Sequence, residues 1–148
     1  MGRARGSIAA ALTLAALGAS GCGGSGEENT GPTPVRIFPI AGTPLKRLVV
    51  TPEAATRIGV QTAPASATAG PGGARMVVVP YAAVLYDANG APSVYTSPAA
   101  RVYIRHPIGI DHIAGNTAIL KQGPTAGTAV VVVGADELFG AETGVKGG

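Results

Sequence analysis

The chain has no tryptophan and one cysteine, and among its 148 residues only two are Phe and four are Tyr. A lone cysteine excludes an intramolecular disulfide. The scarcity of rings leaves Val, Ile, Leu and Ala to build any core. Charge is also sparse, with Asp, Glu, Lys and Arg making up 13% of the chain. The cations form no run interleaved with aromatics, which argues against a nucleic-acid surface. No apolar run reaches the ~20 residues needed to cross a bilayer as a helix. No heptad pattern extends far enough for a long helical hairpin. Glycine and proline are plentiful instead, at 23 and 12 residues, which favours many short strands and turns over long helices.

The N-terminus reads as an export signal spanning residues 1–21. Arg3 and Arg5 precede an uncharged stretch from Ser7 to Gly18, and the small residues Ala19, Ser20 and Gly21 follow. Ala19-Ser20-Gly21-Cys22 resembles a bacterial lipobox, departing from it at Ala19, where leucine is usual. The resemblance implies cleavage just before Cys22 and acylation of its thiol. Two acyl chains on one residue give stable anchoring, whereas a single chain is marginal. The expected product is an exported protein held to a membrane by lipid, facing the extracytoplasmic or periplasmic side. Removal of 1–21 leaves 127 residues (148 − 21) carrying nine Lys or Arg and eight Asp or Glu, a net charge of +1 (9 − 8). One domain is then the expectation.

Residues 22–44 read as a lipid-attached tether. Its first part, Gly23 to Pro34, has the Gly, Ser, Pro and acidic composition of a flexible linker with a reach of roughly 20 Å. Residues 45–148 read as an all-β domain, a small barrel or sandwich of six to seven short antiparallel strands with one short helix. The helix is expected over Pro52 to Ile58, with Thr51 as cap, Pro52 at the first position, Glu53 in the first turn and Gly59 as the stop. Asp87-Ala88-Asn89-Gly90 and Ala114-Gly115-Asn116 predict hairpin turns. Residues 63–75, rich in Ala, Pro, Gly and Ser, read as an internal linker. From Arg101 to Asp111 the pattern has period two. It sets Val102, Ile104 and His106 on one side and Arg101, Tyr103 and Arg105 on the other.

Two stretches carry a family likeness. Val50-Thr51-Pro52-Glu53 through Ile58-Gly59-Val60-Gln61-Thr62-Ala63-Pro64 is similar to the opening of the membrane-proximal domain of periplasmic adaptor (membrane fusion) proteins of RND-type tripartite efflux pumps. Val79-Pro80-Tyr81 through Asp87, Val94-Tyr95-Thr96, Gly123 to Gly134 and Glu137-Leu138-Phe139-Gly140 look like the closing part of that domain. In full-length adaptors a lipoyl-like domain, a helical hairpin and a β-barrel lie between the two. Here only Ala65 to Met76 joins them. The resemblance implies a free-standing membrane-proximal domain that docks to an integral membrane transporter of an efflux system and has no enzymatic activity. The alternative is an envelope ligand-binding lipoprotein that kept the fold without the pump.

Other chemistry finds little support in the sequence. His106 and His112 are the only imidazoles, and two ligands fall short of the three or four a metal site needs. Ser97, His106 and Asp111 lack a local frame that presents a nucleophile. Gly70-Pro71-Gly72-Gly73 lacks the Lys-Ser/Thr of a phosphate loop. No cofactor, metal or catalytic residue is assigned. Arg101, Tyr103 and Arg105 are the candidate partner-binding residues, because Arg and Tyr are enriched at interface hot spots.

Overall fold

The computed structural model describes residues 33–144. Cys22, the signal and residues 23–32 of the proposed tether lie outside the described residues. Eleven strands form two antiparallel sheets in a sandwich-like arrangement, not a closed barrel. The larger sheet has the order β1-β2-β8-β7-β11-β3, with β6 also paired to β7. Its strands are β1 (Val35–Pro39), β2 (Lys46–Val50), β3 (Gln61–Pro64), β6 (Leu85–Tyr86), β7 (Pro92–Ala99), β8 (Val102–Pro107) and β11 (Ala129–Val133). The smaller has the order β4-β5-β10-β9, from β4 (Ser66–Ala69), β5 (Arg75–Pro80), β9 (Gly109–Ala114) and β10 (Thr117–Gln122).

The strand count exceeds the expected six to seven in part because two extended paths each serve both sheets, and in part because the 63–75 stretch supplies a strand. One path changes sheet at Ala65, between β3 and β4, and another at Ile108, between β8 and β9. Both corner residues are buried, and their backbones remain paired: Ala65 N–H donates to the Thr128 carbonyl at 2.8 Å and Ile108 N–H to the Pro92 carbonyl at 3.0 Å. Pro107 helps to end the ladder at the second corner, having no N–H to donate. The ordered domain also starts earlier than residue 45, since β1 pairs with β2 from Val35↔Val50 to Pro39↔Lys46. The 63–75 stretch is not a linker. It contains the end of β3, all of β4 and a turn closed by Gly70 N–H to the Ala74 carbonyl at 2.7 Å.

The sequence predicts one helix and a short helical or irregular cap over Asp136 to Phe139; two helices form. The first, α1 (Pro52–Ile58), has the predicted bounds: the Thr51 hydroxyl accepts from Ala54 N–H at 3.2 Å, and Gly59 closes it at φ 68. The second, α2 (Ala135–Thr143), follows β11 and has no side-chain cap at its N-terminus. A nine-residue helix is not stable alone, so packing must hold it.

Alternation along the larger sheet divides the core in two. Leu48, Tyr95, Tyr103 and Val131 point to one face, where they pack with Ala54 of α1 and with Ala135 and Leu138 of α2. Val94 and Val130 point to the other, against Val79, Ala118 and Leu120 of the smaller sheet. The layers are helices, large sheet, small sheet, so the central strands are buried on both faces.

Candidate functional site

The three candidate residues on and beside β8 do not form one exposed face. Tyr103 is 5% exposed and lies in the core beneath the helices. Arg105 points the same way and meets α2. Its Nε and a terminal guanidinium nitrogen donate to the two carboxylate oxygens of Glu142, each at 3.0 Å. The guanidinium also lies 5.2 Å from the centre of the Phe139 ring. Only Arg101 is free at the surface, at the turn into β8, with φ 60. The expected docking strip is therefore corrected to one exposed arginine, one core tyrosine and one arginine that holds a helix. Amphipathic periodicity identified two faces correctly, but the polar-looking one turns inward because α2 supplies a carboxylate to receive it.

Glu142 is the centre of that contact. Its side chain is 5% exposed, and besides Arg105 it accepts a 2.5 Å hydrogen bond from the Tyr95 hydroxyl. Burial alone would raise the Glu142 carboxyl, but the hydrogen bonds from Arg105 and Tyr95 outweigh it and hold the group below the ordinary carboxylate range. Burial and the adjacent carboxylate push the Tyr95 hydroxyl far up, so it stays protonated and donates to Glu142. The trio ties β7, β8 and α2 together. Both carboxylate oxygens of Glu142 are engaged, and the Tyr95 hydroxyl proton is given to one of them.

The remaining polar candidates are engaged locally or set apart. The Ser97 hydroxyl donates to the Ala99 carbonyl at 3.2 Å, and Asp111 pairs with His112 at 2.8 Å on the exposed edge strand β9. His106 and His112 lie in different sheets, because the corner at Ile108 intervenes. Among the described residues, no three His, Cys, Asp or Glu groups converge as metal ligands. Hollows of about 340 and 430 Å³ flank the β4–β5 hairpin. They are lined mostly by small side chains such as Ala67 and Ala126, with Arg75 the only charge.

His106 gives the domain a pH signature. Burial pushes its imidazole below the ordinary value of 6.5. The native state then binds this proton less readily than the unfolded chain. The resulting stability is fully present above pH ~6.5 and is lost as pH falls through the native-state value. Thermal melts from pH 7 down to 5 should show a falling midpoint, and His106→Gln should flatten that slope. An unchanged slope in the variant contradicts the assignment.

What remains open is the far side of the β1–β2–β8 part of the large sheet. Leu48 and Tyr103, cross-strand partners, face the helices. Their neighbours Arg47 and Val49 on β2 and Val102 and Ile104 on β8 therefore face the opposite way. On β1 the pairs Phe38↔Arg47 and Arg36↔Val49 place Arg36 and Phe38 on that side as well. None of these residues joins either core cluster. The small sheet covers the middle of the large one, and this end carries an apolar strip bordered by arginines. Elsewhere on the surface Tyr81 and Tyr86 are exposed, with Tyr86 next to the Asp87 turn. Comparison of the chain with protein-family models, curated proteins and solved structures gives no match, so these side chains carry the functional argument.

Proposed function

We propose that the chain is a lipid-anchored, non-enzymatic docking domain, resembling the membrane-proximal domain of efflux-pump adaptors, that adds contacts to an integral membrane transporter. The observation that carries this reading is how the two family-like stretches meet. Their strands pair directly, β3 with β11 from Ala129↔Pro64 to Val133↔Gln61, and α1 and α2 share one core cluster. The Ala65–Met76 junction, where full-length adaptors carry further domains, is the closed turn and hairpin of β4 and β5. That a closed hairpin joins the two stretches supports the reading of a membrane-proximal domain without the inserted ones. The buried polar trio supports a mechanical role, because its chemistry is spent on holding α2. The exposed Tyr81–Tyr86 pair is the aromatic feature best suited to a protein partner.

Crosslinking in intact membranes, followed by recovery of the acylated full chain, tests this proposal. A polytopic transporter subunit should co-purify and should be lost with Tyr81→Ala/Tyr86→Ala or when Cys22→Ser abolishes anchoring. Recovery of the chain with soluble envelope ligands and no transporter would favour the ligand-binding alternative.

A further inference from the structure

We infer that the open face of β1, β2 and β8 is a binding surface for anionic phospholipid headgroups. The inference goes beyond transporter docking, but its geometry rests on the anchored reading of Cys22.

The face has the two components an interfacial surface needs. Its centre is apolar, formed by Val49, Val102 and Ile104, which are half-buried and belong to neither core cluster. Its border is cationic and aromatic. Arg47 lies 5.5 Å from the centre of the Phe38 ring across the β1–β2 pair, and Arg36 is two residues before Phe38 on the same side. Phe38 is 37% exposed. Strands β1, β2 and β8 contain no Asp or Glu, and the ion pairs among the described residues involve neither Arg36 nor Arg47. The charge on this face therefore calls for an anionic partner.

The sequence argues for lipid as that partner. Phe38 follows Cys22 by sixteen residues (38 − 22), and the linker composition ahead of β1 sets a reach of roughly 20 Å. An acyl anchor that close holds β1 beside the headgroup layer, where guanidinium groups and an aromatic ring are favoured. A second copy fits poorly, because a two-fold contact on this face would set arginines against arginines.

The chain has no tryptophan, so Phe38→Trp introduces a single fluorophore on the face. The acylated full chain with this change would be reconstituted in phosphatidylcholine vesicles with and without phosphatidylglycerol. Blue-shifted emission, quenched by brominated acyl chains and reversed by salt, is expected only with phosphatidylglycerol. Adding Arg36→Gln and Arg47→Gln should lower the ratio of lipid-bound to free face about fivefold for each arginine lost. Emission indifferent to phosphatidylglycerol overturns the inference. So does a shift that appears only with an added acidic membrane-protein fraction, or only at concentrations where copies associate. The Cys22→Ser/Phe38→Trp chain separates the two levels. If only the acylation reading is wrong, it behaves as the Cys22 chain does and keeps its phosphatidylglycerol dependence. If the face is wrong, neither chain shows any.

Discussion

Arg105→Glu should destabilise the domain by about 3 kcal/mol, whereas Arg101→Glu, four residues earlier, should change stability by less than about 0.5 kcal/mol. The difference lies in what each arginine faces. Arg101 is exposed at a turn, while Arg105 donates both bonds that neutralise Glu142, whose side chain is 5% exposed. Reversing Arg105 would put two carboxylates in contact beneath α2. Breaking a buried pair from one side costs about 3–5 kcal/mol. The 29% exposure of the Arg105 side chain lets water screen part of that cost, so a loss near 3 kcal/mol is the expected value. Urea denaturation of the two variants measures it. A related pH effect follows from Glu142 itself. Its native carboxyl is held below the ordinary value of 4.5, so its contribution is present above that pH and is lost as pH falls through the native value. Equal stabilities for the two variants would refute the role assigned to the Arg105–Glu142 pair.

Leu138→Ala should cost about 3 kcal/mol, and the loss should be concentrated in α2. Leu138 has no solvent exposure and is the largest fully buried side chain of α2, with Phe139 packed partly buried beside it. Little else favours this helix. It has nine residues, Gly134 provides no side-chain cap, and no basic residue occupies its last turn. Its stability comes from Leu138 and Ala135 on the sheet and from Glu142 held by Tyr95 and Arg105. Hydrogen exchange should therefore show α2 amides opening before those of β7 and β11 in the variant. Uniform loss of protection would mean that the helix and sheet unfold as one unit.

The sequence disclosed most where structure is set locally. Thr51-Pro52-Glu53 and Gly59 bound α1 at both ends, because cap, first-turn proline and left-handed stop act within the helix itself. The turn before β7 was equally legible: Asp87 accepts from the backbone N–H of Asn89 and Ala91 at 2.8 and 2.9 Å, and Gly90 takes φ 79. What escaped depends on pairing and sheet exchange that the apolar pattern does not mark. Ser66-Ala67-Thr68-Ala69 has no apolar period, yet it is a strand because Ala67↔Val77 and its neighbours pair it with β5. A one-strand reading of Arg101 to Asp111 could not show that the path changes sheet at Ile108.

The inverted face of β8 has the largest consequence for function. Apolar alternation ordinarily points inward, yet Val102 and Ile104 belong to neither core cluster, while Tyr103 and Arg105 turn towards the helices. Glu142, 37 residues beyond Arg105, makes this possible by supplying the carboxylate that the guanidinium needs on that side. The same inversion leaves an apolar strip edged by Arg36 and Arg47 on the opposite face. The surface proposed to meet lipid thus lies on the strand's apolar side and not on the side of Tyr103 and Arg105.

The central claim is that this domain works while held at a membrane through Cys22. Intact-mass measurement of the protein extracted from native membranes tests it most directly. The account predicts a chain beginning at Cys22, 127 residues long, with the added mass of acyl groups on that residue. A chain that begins elsewhere, or carries Cys22 as an unmodified thiol, would contradict it.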